Sequence, residues 1–360
     1  MPKKEEKSIS KKADGKNPPA NYTITILFVF IAVAVFIMLL IFFFFEPPER
    51  ISTCGDLTEY GSCSEEEPFY CNSETGKIIE EASLCGCPSI FLLEGDSCVS
   101  DFQIDSQDLS LNYILEGKSY SFEFVTYGGV ADYLSNNVSK IISYAVNETP
   151  SRRDFKLQVI DQEIQREFLI PLVKKIQNFT SNKEYQVRIA VSLVQNIPYG
   201  FSNKTEKFFG QQVNYSRYPY EVLYDYEGIC EEKSQLLVFL LRELGYRTAF
   251  FYFQQENHEA VGIGCPIRES YKNTGYCFIE TTGPAIITDG SIEYSGGITL
   301  NSEPEIIEIS EGENLGKNLE EYGDAETLKK IREGKFVLFR NSKLESLREK
   351  YGLIEEYNLG

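Results

Sequence analysis

The sequence has no tryptophan, one histidine and two methionines in 360 residues. Without tryptophan, every large aromatic in a core or a site must come from the 25 phenylalanines and 23 tyrosines. With His258 as the sole histidine, only one imidazole is available as acid or base. The same scarcity weakens any zinc reading. No histidine lies near the cysteine-rich stretch, and Cys85-Gly-Cys87 is closer than the usual zinc pair. There is no internal repeat and no EF-hand-like loop. Positive charge is short as well: 35 Lys and Arg stand against 54 Asp and Glu, a net of −19. That balance argues against nucleic acid as a partner and against docking on anionic headgroups. It fits a solvated, self-repelling domain.

What is present is unevenly placed. Residues 1–21 carry six lysines against three acids, with little to bury, and read as a disordered tail. Residues 24–45, "ITILFVFIAVAVFIMLLIFFFF", hold no charge. At ~1.5 Å rise per residue the run covers a ~30 Å hydrocarbon layer. It is longer than the roughly 7–15-residue core of a cleavable signal peptide. We therefore expect an uncleaved transmembrane helix over 22–45. The positive-inside rule puts 1–21 in the cytoplasm. The remaining residues, which carry −22 once the tail's +3 is set apart, then lie outside a cell membrane that the chain crosses once.

Cysteine usage fits an oxidising location. Cys54, Cys63, Cys71, Cys85, Cys87 and Cys98 crowd into one short segment, which predicts a disulfide module over 51–100 with no pairing favoured. Cys265 and Cys277 flank a turn-like "IRESYKNTGY" and can bridge its arms. Cys230 is left over. Sequons at Asn137, Asn147, Asn178, Asn203 and Asn214 suggest surface positions.

Along the rest of the chain, "SYSFEFV" (119–125) alternates as a strand, while 130–144 fits a helix or a strand. Residues 161–179 have a helical pattern with a kink or break suggested at Pro171. Residues 183–196 form a second helix, followed by a Tyr-rich loop over 199–228. The helix from Cys230 to Leu244 is apolar nearly all round, so it should be central, and Gly245 ends it. "YRTAFFYF", "HEAVGIG" and "GYCFIETT" read as three successive strands. This is an α+β arrangement. The tail adds helix-like "DAETLKKIREG", then "KFVLF" and "SKLESLREKYGLIEEY".

Cys230 opens the central helix, His258 opens the second strand and Glu280 closes the third. A thiol attacks an acyl carbon as thiolate, which a helix N-terminus and an imidazolium both favour. A carboxylate on the other ring nitrogen would orient the imidazole. The Cys230 N–H is a donor for an oxyanion. Glu231 and Glu232 work against a thiolate unless they turn away from the sulfur. Plainer readings stay open: a small buried thiol at a helix start, or a bridge from Cys230 to Cys265 or Cys277.

"YDYEGICEEKSQLLVFLLRELGYRTAFF", "NHEAVGIG" and "GYCFIETTGP" together resemble the core of the transglutaminase-like superfamily of papain-like cysteine enzymes, over about residues 183–284. The cysteine-rich module resembles those of membrane-anchored archaeal proteins of this type. The resemblance implies a Cys-bearing helix packed on an antiparallel sheet within a domain over 101–360. It implies Cys230 as nucleophile, His258 as acid/base and Glu280 as orienting carboxylate, with no cofactor and no metal. The expected substrate is a protein, peptide or cell-envelope amide, hydrolysed rather than cross-linked. Two departures stand out. Glu280 replaces the usual Asp, and in His258-Glu259-Ala260 the aromatic usual two residues after the histidine is missing. Any shielding role of the missing tryptophan falls to a tyrosine, with Tyr224 and Tyr226 as candidates. The competing class is a non-enzymatic surface module using the same fold as a scaffold.

Overall fold

The computed structural model describes residues 26–37, 53–138, 149–208, 211–290, 293–294 and 298–353. The expected cytoplasmic tail and the sequon at Asn147 lie outside these. The chain divides into two compact units, residues 1–51 and Ser52–Gly360. In the first, residues 26–37 form helix α1 with exposed side chains. No helix among the described residues is long and apolar enough to cross a membrane. The transmembrane helix expected over 22–45 is thus not found among them; residues 22–25 and 38–45 lie outside.

The second unit is α+β. It begins with hairpin β1 (Phe69–Asn72)–β2 (Lys77–Glu80), the short α2 (Ala82–Cys85) and hairpin β3 (Leu92–Glu94)–β4 (Ser97–Val99). These pieces are too small to hold a core and are stapled by Cys54–Cys71, Cys63–Cys85 and Cys87–Cys98. The segment does not stand apart. Lys174 reaches it with an ion pair to Asp56 at 2.8 Å, both side chains buried. Residue 100 therefore separates no two compact bodies.

Next come the long hairpin β5 (Ser106–Leu115)–β6 (Lys118–Tyr127) and α3 (Gly128–Asn136). The first half of the ambiguous 130–144 stretch is therefore helical. Helices α4 (Arg152–Ile160), α5 (Glu163–Phe179) and α6 (Lys183–Gln195) follow. α5 runs on through Pro171 without a break. The stretch 199–228 is more ordered than a plain loop. It holds hairpin β7 (Thr205–Phe208)–β8 (Gln211–Asn214) and helix α7 (Pro219–Asp225), whose Pro at the first position suits a helix start.

Helix α8 (Cys230–Glu243) is the axis of the unit. Every residue from Glu232 to Leu241 is buried, and the Leu236–Leu241 stretch is apolar all round. Gly245, at φ +92°, takes the left-handed position that stops it. Strands β9 (Thr248–Phe253), β10 (His258–Gly264) and β11 (Tyr276–Ile279) coincide with the three expected ones. β12 (Glu293–Tyr294) and β13 (Ile298–Thr299) pair with each other. β14 (Glu305–Ser310), which the sequence reading missed, completes an antiparallel sheet in the order β11-β10-β9-β14. Both faces of this sheet are covered. Phe250, Val261, Ile263 and Ile279 join the leucines of α8 in the main core. Phe251, Phe253, Tyr276 and Phe278 form a second cluster. Helices α9 (Glu320–Arg332) and α10 (Arg340–Tyr351) close the unit, packed through Leu328 and Leu347.

Of the sequons, Asn137, Asn203 and Asn214 are exposed. Asn178 is not a free surface amide. Its side chain accepts from Ile78 N at 2.7 Å and donates to Ile78 O at 2.8 Å.

Candidate functional site

The register of the sheet explains why His258 and Glu280 meet. β10 and β11 pair antiparallel, with Val261 opposite Ile279. The start of β10 and the end of β11 therefore lie side by side, which brings His258 next to Glu280. His258 Nε2 lies 3.0 Å from Glu280 Oε2. The other carboxylate oxygen, Oε1, accepts from Thr282 N at 2.8 Å and Thr282 Oγ1 at 2.6 Å. Behind it, Gln195 Nε2 donates to the Glu280 carbonyl at 2.9 Å.

α8 brings the thiol. Ser234, one turn in, donates to Glu259 O at 3.3 Å and lies 3.1 Å from Thr281 Oγ1. Thr281 Oγ1 in turn donates to Cys230 O at 3.4 Å. The first turn of the helix is thereby fixed to β10 and to the segment after β11. Cys230 is the one cysteine outside a disulfide, is partly exposed, and sits close enough to His258 to help raise the pKa of the imidazole. Cys265 and Cys277 bridge each other, so neither pairs with Cys230.

Burial alone would lower the His258 pKa. The Glu280 charge and the hydrogen bonds to Cys230 and Glu280 outweigh it and push His258 up to about 10. Burial would raise Glu280, yet the His258 charge and the Thr282 donors hold it below the usual carboxylate range. Both shifts describe an imidazolium on an ionised carboxylate at neutral pH.

Cys230 and His258 line an open cleft of about 290 Å³ between α8, α4, β9 and β14. Tyr252 lines it; Tyr224 and Tyr226 do not. Tyr226 is engaged with Asn112, and the Tyr224 hydroxyl lies against Gly128. The two acids after the cysteine have separate fates. Glu232 is fully buried and accepts from Ile229 N at 3.0 Å and Arg217 N at 2.8 Å, capping the helix. Glu231 stays on the cleft wall, with its carboxylate held by Lys156 at 2.8 Å and Ser216 at 3.4 Å.

Several supporting residues carry no sequence signal. Arg217, buried in the Tyr-rich stretch, binds Asp225, Glu227, Glu232 and Gly200 O, tying the approach loop to the helix start. Lys233, also fully buried, donates to Gln195 O, Ile197 O and Thr282 O at 3.4, 2.6 and 3.3 Å. Burial draws it down to about 7, against the pull of Glu280. Lys156 bridges Glu231 and Glu259. Burial opposes the charge on Lys156, but its two carboxylates hold its pKa up. Glu259 shares that single lysine, and burial pushes it up to about 7. One cation between two carboxylates leaves the deeper one under-compensated. A buried Arg or Lys in a polar loop or first helical turn looks like a surface charge until the loop is folded back.

Among the described residues there is no group of three or more His, Cys, Asp or Glu placed to hold a metal ion. Compared with protein-family models, the chain matches none. No curated protein and no solved structure matches it either.

Proposed function

We propose that this chain is a membrane-anchored, extracytoplasmic cysteine enzyme of the transglutaminase-like kind, acting on a protein, peptide or cell-envelope amide. The observation that carries the reading is the chain of contacts from Cys230 through His258 to Glu280, opening on a solvent-accessible cleft. The Cys230 sulfur attacks the amide carbonyl as thiolate, and a C–S bond forms. The Cys230 N–H, at a helix start with no intrahelical partner, stabilises the oxyanion. His258 gives its proton to the departing nitrogen, the C–N bond breaks and a thioester remains. Water, deprotonated by His258, then releases the acid and restores the thiol. The open cleft admits water, which favours hydrolysis over transfer to a second amine.

The test is alkylation of Cys230 by iodoacetamide from about pH 4 to pH 9, in the parent chain and in His258→Ala. The expected result is fast labelling that persists into the acidic range and is lost in the variant. Labelling that rises only at alkaline pH in both chains would return the fold to a scaffold role.

A further inference from the structure

The segment "KFVLF" (335–339) links α9 to α10 and has no part in the cleft. Phe336 is 89% exposed, Leu338 65% and Phe339 75%. The helix pair beneath buries its own apolar face through Leu328, Leu347 and Leu353, so the tip is surplus to packing. The loop is held, not loose. Lys335 N donates to Lys330 O at 2.9 Å, Arg340 Nη2 to Ile331 O at 2.9 Å, and Lys343 N to Phe339 O at 2.9 Å. Three large apolar side chains are therefore exposed in one short loop anchored at both ends, which a protein surface seldom offers without a partner.

Charge identifies the partner. Residues 329–343 hold six Lys and Arg against Glu333, a local +5 in a chain of net −19. Two of these charges are met by acids outside the segment, Arg332 by Asp289 and Lys330 by Glu326, which leaves +3. Lys335, which is ion-paired with Glu333 at 2.6 Å, and Arg340 and Lys343 are exposed beside the aromatic tip. Aromatic and aliphatic side chains flanked by Lys and Arg are the composition that settles at a lipid headgroup boundary. The whole-chain acidity, which argues against anionic lipid, is a sum that conceals this segment. We propose that the 335–339 loop docks on an anionic lipid surface, with Phe336, Leu338 and Phe339 entering the acyl boundary and Lys335, Arg340 and Lys343 on the headgroups. This does not depend on the enzyme reading.

The absence of tryptophan supplies the assay, because Phe336→Trp makes a single-tryptophan chain whose indole can be excited selectively over the tyrosines. The full chain is reconstituted in phosphatidylcholine–phosphatidylglycerol vesicles, with Phe201→Trp as an exposed control. The expected result is blue-shifted Phe336→Trp emission that is quenched by brominated acyl chains. High salt, or added Lys335→Glu, Arg340→Glu and Lys343→Glu, should reverse most of the quenching, while Phe201→Trp stays unquenched. Water-like, unquenched emission from Phe336→Trp overturns the proposal. So does an unquenched blue shift that grows with protein-to-lipid ratio, which would mean a second copy covers the tip. Equal quenching in phosphatidylcholine alone overturns the anionic specificity.

Discussion

His258 carries opposing demands. Burial disfavours its charge, and Glu280 restores it. Its pKa in the fold lies above the ordinary histidine value of about 6.5. A raised pKa means that the folded chain binds the proton more tightly than the unfolded chain. The stability this contributes is complete below about pH 6.5 and fades as pH climbs toward about 10. The unfolding free energy of the parent minus that of His258→Ala should therefore be largest in mild acid and shrink steadily to alkaline pH. A difference that is flat or grows with pH, measured by denaturant titration, would contradict the His258–Glu280 ion pair. Glu280→Gln tests the same contact through chemistry. The amide cannot answer an imidazolium, so turnover, or Cys230 alkylation in acid, should fall roughly 10²- to 10⁴-fold. An unchanged rate would remove Glu280 from the mechanism.

At the scale of elements, the first turn of α8 is located by side chains rather than by its own propensity. Arg217 joins the approach loop to Glu232, whose carboxylate is wholly buried. Removing one partner of such a pair leaves an uncompensated charge, so Arg217→Ala should cost about 3–5 kcal/mol. Lys233 ties the end of α6 to the Thr282 segment that holds Glu280. Lys233→Met keeps the volume but removes the donors, and about 1–3 kcal/mol of stability should go with them. Thermal or denaturant midpoints of the two variants check both figures. A near-neutral Lys233→Met would mean that water replaces the ammonium. Length and apolarity are enough to make α8 a central helix, yet its placement over β10 depends on Ser234 and Thr281, polar residues that nothing in the sequence distinguishes.

For the molecule as a whole, the disulfide-rich segment and the helix-and-sheet core are one body. Asp56 and Lys174 meet in a buried pair, Arg166 binds Glu66 at 2.6 Å, and Gln186 donates to Gly55 O at 2.9 Å. Contacts of this kind couple the two parts, so Ser52–Gly360 should unfold in a single cooperative transition. Lys174→Ala should lower its midpoint rather than detach a module. Two separate transitions by calorimetry would show that the stapled segment folds alone.

Some of this was fixed by local pattern. The period and length of apolar runs determined α6, α8 and strands β9, β10 and β11. Cysteine crowding determined that the segment after residue 53 is stapled, and counting left Cys230 as the unpaired thiol. The order Cys230, His258, Glu280 was likewise legible, because each stands at the end of a clearly patterned element. Only the tertiary structure decided the rest. The disulfide pairing needs Cα positions. β14 mixes acids with isoleucines, and its place at the sheet edge comes from pairing with β9. Lys156, Arg217, Lys233 and Glu259 look like ordinary surface charges along the chain. Desolvation and shared partners make them part of the site, and both arise from residues far away in sequence.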